Sequence, residues 1–244
     1  MRRWAMLLAS LVGLAASAMG ADAPRGTVVC VHGFLRSRAN HWAVAAKLRP
    51  TWRVVNWAYP SRARTIEGHA AALVVELRRQ AAAHPGEPIH FVTHSLGGLI
   101  LRAALNRPDC PPEARQGRAV LMAPPNRGAI VARRLVSIAP VRWVFGRYAG
   151  QQLMTTPTDG FARLGEFPPT VEVLVIAGRA GCNPLIPGPD DGKVAVAETP
   201  LATPHAFATL RAGHSWLAWS PTALRMTRDF LALPHSPALP VVAR

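Results

Sequence analysis

The stretch "HFVTHSLGGLI", residues 90–100, decides how this chain is interpreted. Its first residues have the apolar, β-branched composition of a buried strand, and a helical pattern begins after Ser95. A tight strand-to-helix turn strains the serine backbone, and Gly97 lets the helix pass close to the strand. The turn presents the hydroxyl at the positive end of a helix dipole. Ser95 is therefore a candidate nucleophile; the alternative is a plain helix cap, so partner residues must decide.

A serine hydroxyl is a weak nucleophile and needs a base that an acid orients. Of the nine histidines, His214 alone directly follows the last predicted strand, in "LRAGHSWL". His32 and His94 flank strand ends, where we interpret them as shaping turns. The acid comes from "PGPDDGKVAVAE", in the loop after the preceding strand. We prefer Asp191, which stands next to a glycine, and Asp190 is the alternative.

The site also needs donors for a developing oxyanion. In "VVCVHGFLRS", a His-Gly pair ends the first predicted strand and directs the N–H of Phe34 toward the site. The second donor is the N–H of Leu96, directly after the serine. The chain order serine, aspartate, histidine is the α/β-hydrolase order rather than that of either serine-protease type.

Short β-branched runs alternate with helical patterns along the chain, which predicts an α/β fold with a mostly parallel sheet. The predicted strands are 26–33, 52–60, 89–95, 118–126, 170–179 and 205–214. The predicted helices are 65–83, with Thr65 as the cap, 97–106 and 217–233. Between about 129 and 169 no strand pattern appears, and aromatic and aliphatic residues alternate with arginines. This insert is either a helical cap over the sheet edge or a peripheral helix pair.

The strand ending in His-Gly-Phe, together with "THSLGG", "APPNRGA", "DDGKV" and "AGHSWL", resembles the α/β-hydrolase superfamily. The resemblance is to lipase-like bacterial serine esterases related to triacylglycerol lipases and inositol deacylases, and it covers about residues 26–233. It implies an α/β-hydrolase fold: a mostly parallel central sheet flanked by helices, with a small helical cap insert. It also implies a carboxylesterase or lipase-like enzyme without a cofactor.

The same resemblance implies a role for each candidate residue. Ser95 is acylated, His214 carries the proton, Asp191 orients the imidazole, and Phe34 and Leu96 donate to the oxyanion. One residue departs from the family's Gly-x-Ser-x-Gly pattern, because Thr93 stands at its first position. A β-branched residue there crowds the turn.

The formal net charge of +15 raises nucleic acid as a partner, but the pattern argues against it. The excess is arginine scattered along the whole chain, with no basic stripe interleaved with aromatics. We expect such a surface to be attracted to anionic lipid or envelope polymer. The spacing of the three cysteines does not indicate a metal site. Cys30 is interpreted as a small buried hydrophobe, and whether Cys110 and Cys182 are bridged stays open.

The first 23 residues have a positive start, an apolar run and then small residues, which predicts a secretory signal peptide. Cleavage is expected after Ala18, Gly20 or Ala23. The alternative is an N-terminal membrane anchor, although the run is shorter than the ~20 apolar residues of a spanning helix. The predicted organisation is thus a signal peptide (1–23), one hydrolase domain (24–234) and a Pro-rich tail (235–244).

The sequence therefore predicts an exported serine hydrolase that cleaves carboxylic esters, with a small-molecule or lipid ester as substrate. Thioester hydrolysis and lipid acyl transfer use the same residues and remain alternatives. A binding protein on a hydrolase fold that has lost catalysis is an alternative of a different class.

Overall fold

A parallel sheet of six strands forms the centre of the computed structural model, which describes residues 24–234. The strands are β1 (Thr27–Val31), β2 (Arg53–Trp57), β3 (Ile89–His94), β4 (Arg118–Met122), β5 (Glu172–Gly178) and β6 (Ala206–Leu210). Every neighbouring pair is parallel, which confirms the prediction of a mostly parallel sheet. The predicted signal peptide and the Pro-rich tail lie outside the described residues.

The strand order is β2-β1-β3-β4-β5-β6, so the chain reverses its direction across the sheet between β1 and β3. In open α/β sheets, ligands bind outside the carboxyl ends of the strands at such a reversal. Val31 lies opposite Thr93 in the register of these two strands. The loop after β1 and the turn at Ser95 therefore emerge side by side.

Helices cover both faces of the sheet. They are α1 (Trp42–Leu48), α2 (Ile66–Ala83), α3 (Leu96–Leu105), α4 (Ile130–Arg134), α5 (Ala139–Phe145), α6 (Ala149–Thr155) and α7 (Pro221–Ala232). Alternate residues of β1 divide between two cores: Val29 and Val31 pack with α2 and α3, while Val28 and Cys30 pack with α1 and α7. A strand buried on both faces has no polar side, which explains the continuous apolar run in its sequence.

The ends of the helices follow local chemistry. Thr65 caps α2 by accepting from the N–H of Gly68 at 3.0 Å, as predicted. The closing helix begins at Pro221 rather than at 217, because Ser220 is the N-cap and proline favours the first helical position. Helix α1 was not predicted from the sequence, since seven residues carry little periodic signal.

The insert folds into α4, α5, α6 and a 3₁₀ turn at Gly160–Leu164. Its buried residues Leu153 and Phe161 belong to the same core as α2 and α3. At Gly150 a Cβ atom would lie 2.8 Å from the ring of Phe34, so α6 packs closely against the loop after β1. The insert therefore covers the end of the sheet at which that loop emerges.

All three cysteines lie in the described part of the chain, and each is a free thiol. Cys110 is buried and Cys182 is exposed, so the structure contains no bridge between them. Cys30 is fully buried in β1, where burial raises the pKa of its thiol to about 12.

Among residues 24–234, none of the helices combines the length and the apolar character that crossing a bilayer requires.

Candidate active site

Ser95 occupies a strained turn between β3 and α3. Its φ of 53° lies in the left-handed region that residues with a side chain rarely adopt. Its backbone N–H donates to the carbonyl of Met122 at 2.9 Å, which fixes the turn against β4. The hydroxyl does not cap α3, so the plain helix-cap alternative does not describe this serine.

Two glycines allow the chain to pass close to Ser95. A Cβ atom on Gly97 would lie 2.3 Å from the carbonyl oxygen of Val31, a distance that no side chain tolerates. A Cβ atom on Gly33 would lie 3.1 Å from Cβ of Ser95. Glycine at both positions therefore brings α3 and the loop after β1 together around the serine.

Thr93 is completely buried in β3. The turn forms with this β-branched residue in place. Its Oγ1 has no hydrogen-bond partner within the described chain, and a Cβ atom on Gly98 would lie 3.4 Å from it. The departure from the family pattern thus leaves an unsatisfied hydroxyl beside the turn.

His214 and Asp191 are hydrogen-bonded partners. Nδ1 of His214 lies 2.7 Å from Oδ2 of Asp191, and both side chains are buried. The other carboxylate oxygen accepts from the N–H groups of Lys193 at 3.0 Å and Val194 at 2.8 Å. Because a carboxylate can only accept, Nδ1 carries the proton and Nε2 of the neutral ring is left as an acceptor.

Asp190 faces away from the histidine. Its Oδ1 accepts from the N–H of Gly192 at 2.6 Å, and its Oδ2 accepts from the N–H of Asn183 at 3.4 Å. These contacts hold the loop that carries Asp191. The structure thus brings Asp191, rather than Asp190, to His214.

Ser95 and His214 line one cavity of about 130 Å³. Phe34 lines it as well, and its ring lies 5.1 Å from that of Phe145 in the insert. The insert supplies an apolar wall consisting of Ala129, Val131, Ala132, Phe145 and Leu153. The insert therefore forms part of the cavity that contains the candidate nucleophile, an arrangement that favours a cap over a peripheral helix pair.

The predicted oxyanion donors belong to the two segments that meet here. Leu96 is the first residue of α3, and a helix has no intrahelical acceptor for its first N–H groups. Phe34 directly follows Gly33, which contacts Ser95. Donation by both N–H groups to a substrate stays a prediction.

His32 supports the loop after β1, in line with its predicted structural role. Its Nδ1 donates to the carbonyl of Gly33 at 2.9 Å, and its ring stacks on Tyr59 with the centroids 4.2 Å apart. The hydroxyl of Tyr59 donates to the carbonyl of His32 at 2.7 Å. Burial lowers the pKa of His32, so the ring tends to stay neutral.

His94 contacts the candidate base, in addition to the turn-shaping role predicted for it from the sequence. It is buried at the end of β3, its ring centroid lies 4.7 Å from that of His214, and it also lines the cavity. Burial, reinforced by the nearby His214, holds the pKa of His94 well below its ordinary value. Sequence reasoning missed this contact because β3 and the segment after β6 meet only in the folded protein.

Arg36 and Lys193 also line the cavity, and neither was predicted from the sequence as a site residue. Their positions in the sequence could have indicated them. Arg36 stands two residues after "HGF", and Lys193 stands two residues after "DD". Partial burial, reinforced by Arg36, lowers the pKa of Lys193, while Asp191 opposes the shift.

Within residues 24–234, no three His, Cys, Asp or Glu side chains come together as ligands for a metal ion.

The model of the alpha/beta hydrolase family matches residues 28–242, and the chain belongs to this family. The predicted α/β-hydrolase fold and the resemblance to this superfamily are thereby confirmed. No curated protein sequence gives a match to the chain.

Several solved structures share the fold. The mature lipase BlEst2 of Bacillus licheniformis is 16% identical, with a TM-score of 0.70, over 88% of this chain and 94% of the lipase. Phospholipase PlaB of Legionella pneumophila is 17% identical, with a TM-score of 0.63, over 84% of this chain and 59% of the phospholipase. The metagenomic carboxyl esterase MGS0156 is 18% identical, with a TM-score of 0.59, over 80% of this chain and 66% of the esterase. At these identities the likeness is one of fold.

Proposed function

We propose that the protein is a serine hydrolase that cleaves carboxylic esters through an acyl-enzyme on Ser95. One observation carries the proposal. Ser95, whose backbone is strained and whose hydroxyl does not cap α3, shares a cavity with His214, and Nδ1 of His214 is hydrogen-bonded to Asp191. This arrangement provides a nucleophile, a base in the required tautomer and an acid that orients the base.

In the proposed reaction, Ser95 Oγ attacks the ester carbonyl while Nε2 of His214 takes the hydroxyl proton. The N–H groups of Phe34 and Leu96 donate to the oxyanion. When the tetrahedral intermediate collapses, the bond to the alcohol oxygen breaks and His214 returns the proton to the leaving alcohol. A water molecule, deprotonated by the same histidine, then hydrolyses the acyl-serine and releases the acid.

The size of the cavity suggests a preference for short acyl groups. Its apolar wall suits a hydrocarbon chain, and 130 Å³ is close to the volume of a cavity that holds benzene, so roughly four to six carbons fit. A narrow apolar site discriminates by chain length through lost burial and steric exclusion.

The test combines labelling with turnover. We expect a fluorophosphonate probe to label the protein, and nitrophenyl esters of graded acyl length to be hydrolysed best near the butyrate. Ser95→Ala is expected to abolish labelling and to lower kcat by at least about 10³-fold, and His214→Ala to lower kcat similarly. A Ser95→Ala variant that retains turnover contradicts the proposal, and a His214→Ala variant with full activity shows that another base operates.

The same assay separates the alternatives. Faster turnover of butyryl thioesters than of matched oxygen esters supports a thioesterase, and transfer of the acyl group to an added lipid alcohol supports an acyltransferase. A folded protein that neither reacts with the probe nor hydrolyses any of these compounds supports the inactive binding protein.

We also propose that residues 1–23 direct export, on the strength of their charged start and apolar run. The measurement is the N-terminal mass of the protein recovered from the periplasm or the medium after expression of the full chain. A start after residue 18, 20 or 23 supports a cleaved signal peptide, whereas an intact N-terminus in the membrane fraction supports the anchor.

A further inference from the structure

The cavity around Ser95 has a second kind of wall besides the apolar one. Arg36, from the loop after β1, and Lys193, from the loop after β5, both line it. Nη2 of Arg36 donates to Oγ of Ser215, the residue after His214, which holds the guanidinium beside the base. Two cations from distant parts of the chain thus meet at the candidate nucleophile.

Acidic groups do not neutralise this wall. The lining of the cavity includes no carboxylate, and neither Arg36 nor Lys193 forms an ion pair within residues 24–234. Asp191 attracts Lys193, but its oxygens already accept from His214 and from backbone N–H groups. Partial burial is the main cause of the lowered pKa of Lys193, and repulsion between Lys193 and Arg36 adds to it. An anion bound between them relieves this repulsion.

Arg36 is a lining residue of two cavities. It lines a second, open cavity of about 590 Å³ together with Ser215, Trp216 and Trp219. The apolar wall from the insert suits the acyl chain, so the alcohol portion of an ester extends along the side that Arg36 shares with the open cavity.

We propose that Arg36 and Lys193 select esters whose alcohol portion carries an anionic group close to the ester oxygen. This inference rests on the proposed ester hydrolysis at Ser95 and names the substrate class for that site. The two residues act by attraction between opposite charges and do not take part in bond making. Because the pairs are partly exposed, we expect the anionic group to raise kcat/KM by roughly five- to tenfold.

Three aryl butyrates test the inference on the purified protein. The phenyl ring carries a carboxylate, a carboxamide or a trimethylammonium group at the meta position, and each enzymatic rate is divided by the rate at which uncharged imidazole cleaves the same ester. We expect the carboxylate ester to lead the carboxamide ester, and the trimethylammonium ester to be last. Raising the salt from about 20 mM to about 0.5 M is expected to reduce these differences, because salt screens exposed charges.

Variants then assign the preference to the two residues. In Arg36→Gln/Lys193→Gln, we expect the ratio of carboxylate to carboxamide turnover to fall close to one. The control Arg78→Gln/Lys47→Gln removes the same charges from exposed positions on α2 and α1 and is expected to keep the native ratio. The charge-retaining Arg36→Lys/Lys193→Arg is expected to keep most of it, and thermal melts identify any variant that fails to fold.

The outcomes separate this inference from the proposed function. Ser95-dependent hydrolysis with a native ratio near one overturns the inference and leaves the proposed function in place. If the ratio of carboxylate to carboxamide turnover falls equally in both double Gln variants, the preference comes from the whole charged surface. This result also overturns the inference. If monophenyl glutarate is hydrolysed faster than phenyl pentanoate and the aryl butyrates show no preference, the recognised charge lies on the acyl side. This result overturns the assignment to the alcohol. If no ester shows Ser95-dependent turnover, the proposed function itself fails and the inference falls with it.

Discussion

Nε2 of His94 donates to the backbone carbonyl of His214 across 2.9 Å, so the residue before the candidate nucleophile holds the backbone of the candidate base. The acceptor is a carbonyl, which places the proton of His94 on Nε2. Burial, reinforced by His214, holds the pKa of His94 well below its ordinary value, which favours the neutral ring.

His94 is therefore expected to act as a positioning residue. We expect His94→Leu to lower kcat for nitrophenyl butyrate by about 10- to 100-fold with little change in KM, because small misplacements of a catalytic group are costly. His94→Gln retains an N–H donor and is expected to recover part of the loss. A loss that appears in the melting temperature but not in kcat assigns His94 a purely structural role.

Substitutions of the two adjacent aspartates are expected to have different effects on activity and stability. Asp191→Asn disturbs the tautomer of His214, and we expect kcat to fall about 10³- to 10⁴-fold while the fold is retained. Asp190→Asn weakens the contacts to Gly192 and Asn183, so we expect a lower melting temperature and a smaller effect on kcat. The reverse pattern in kcat and in thermal melts contradicts the assignment of Asp191 as the acid.

The buried hydroxyl of Thr93 is expected to cost stability. Thr93→Val keeps the shape and removes an unsatisfied polar group, so we expect it to stabilise the fold by about 1 kcal/mol. That corresponds to a rise of about 2–4 °C in Tm for a chain of this size. Thr27→Val is the matched control at another buried β-strand position: its hydroxyl accepts from Nε of Arg53 at 3.3 Å, so no gain is expected. A lower Tm for Thr93→Val indicates that its hydroxyl has a partner in solution.

Buried His41 is expected to make the fold sensitive to acid. Burial, with a smaller contribution from His32, lowers its pKa from 6.5 to about 3, and neither ring nitrogen has a partner in the described chain. The unfolded chain takes up a proton near pH 6.5 while the folded chain does not, so stability is lost as the pH falls from about 6.5 toward 3. One such group contributes a slope of about 1.4 kcal/mol per pH unit in this window.

Urea unfolding at a series of pH values measures that slope. In His41→Phe the contribution of this ring is removed, so we expect a shallower loss of stability below pH 6.5 than in the native protein. Buried His94 and His32 have lowered pKa values as well and retain part of the acid sensitivity. An unchanged slope in the variant indicates that His41 is already protonated in the fold.

Much of the fold follows from local pattern. Strands such as β1 and β5 could be located because they are buried on both faces and carry apolar runs rich in β-branched residues. Ser95 could be singled out as a candidate because a strand, a serine and, after one residue, two glycines indicate a tight turn, and because an aspartate and a histidine follow in the α/β-hydrolase order. The short helix α1 and the bounds of α4 to α6 could not be derived, because short helices depend on packing more than on their own periodicity.

The parallel α/β architecture, the turn at Ser95 and the order of the candidate catalytic residues could all be predicted from the sequence. The turn and the individual strands and helices depend on residues close together in the chain, where sterics and hydrophobic periodicity suffice, and the order of the catalytic candidates is simply their order in the chain. The folded structure was needed to show that Asp191 rather than Asp190 meets His214, since side chains one residue apart in a loop take directions that the surrounding contacts select. It also decided that His94 holds the base and that Arg36 and Lys193 share the cavity, because loops distant in the chain meet only when the sheet brings its strand ends together.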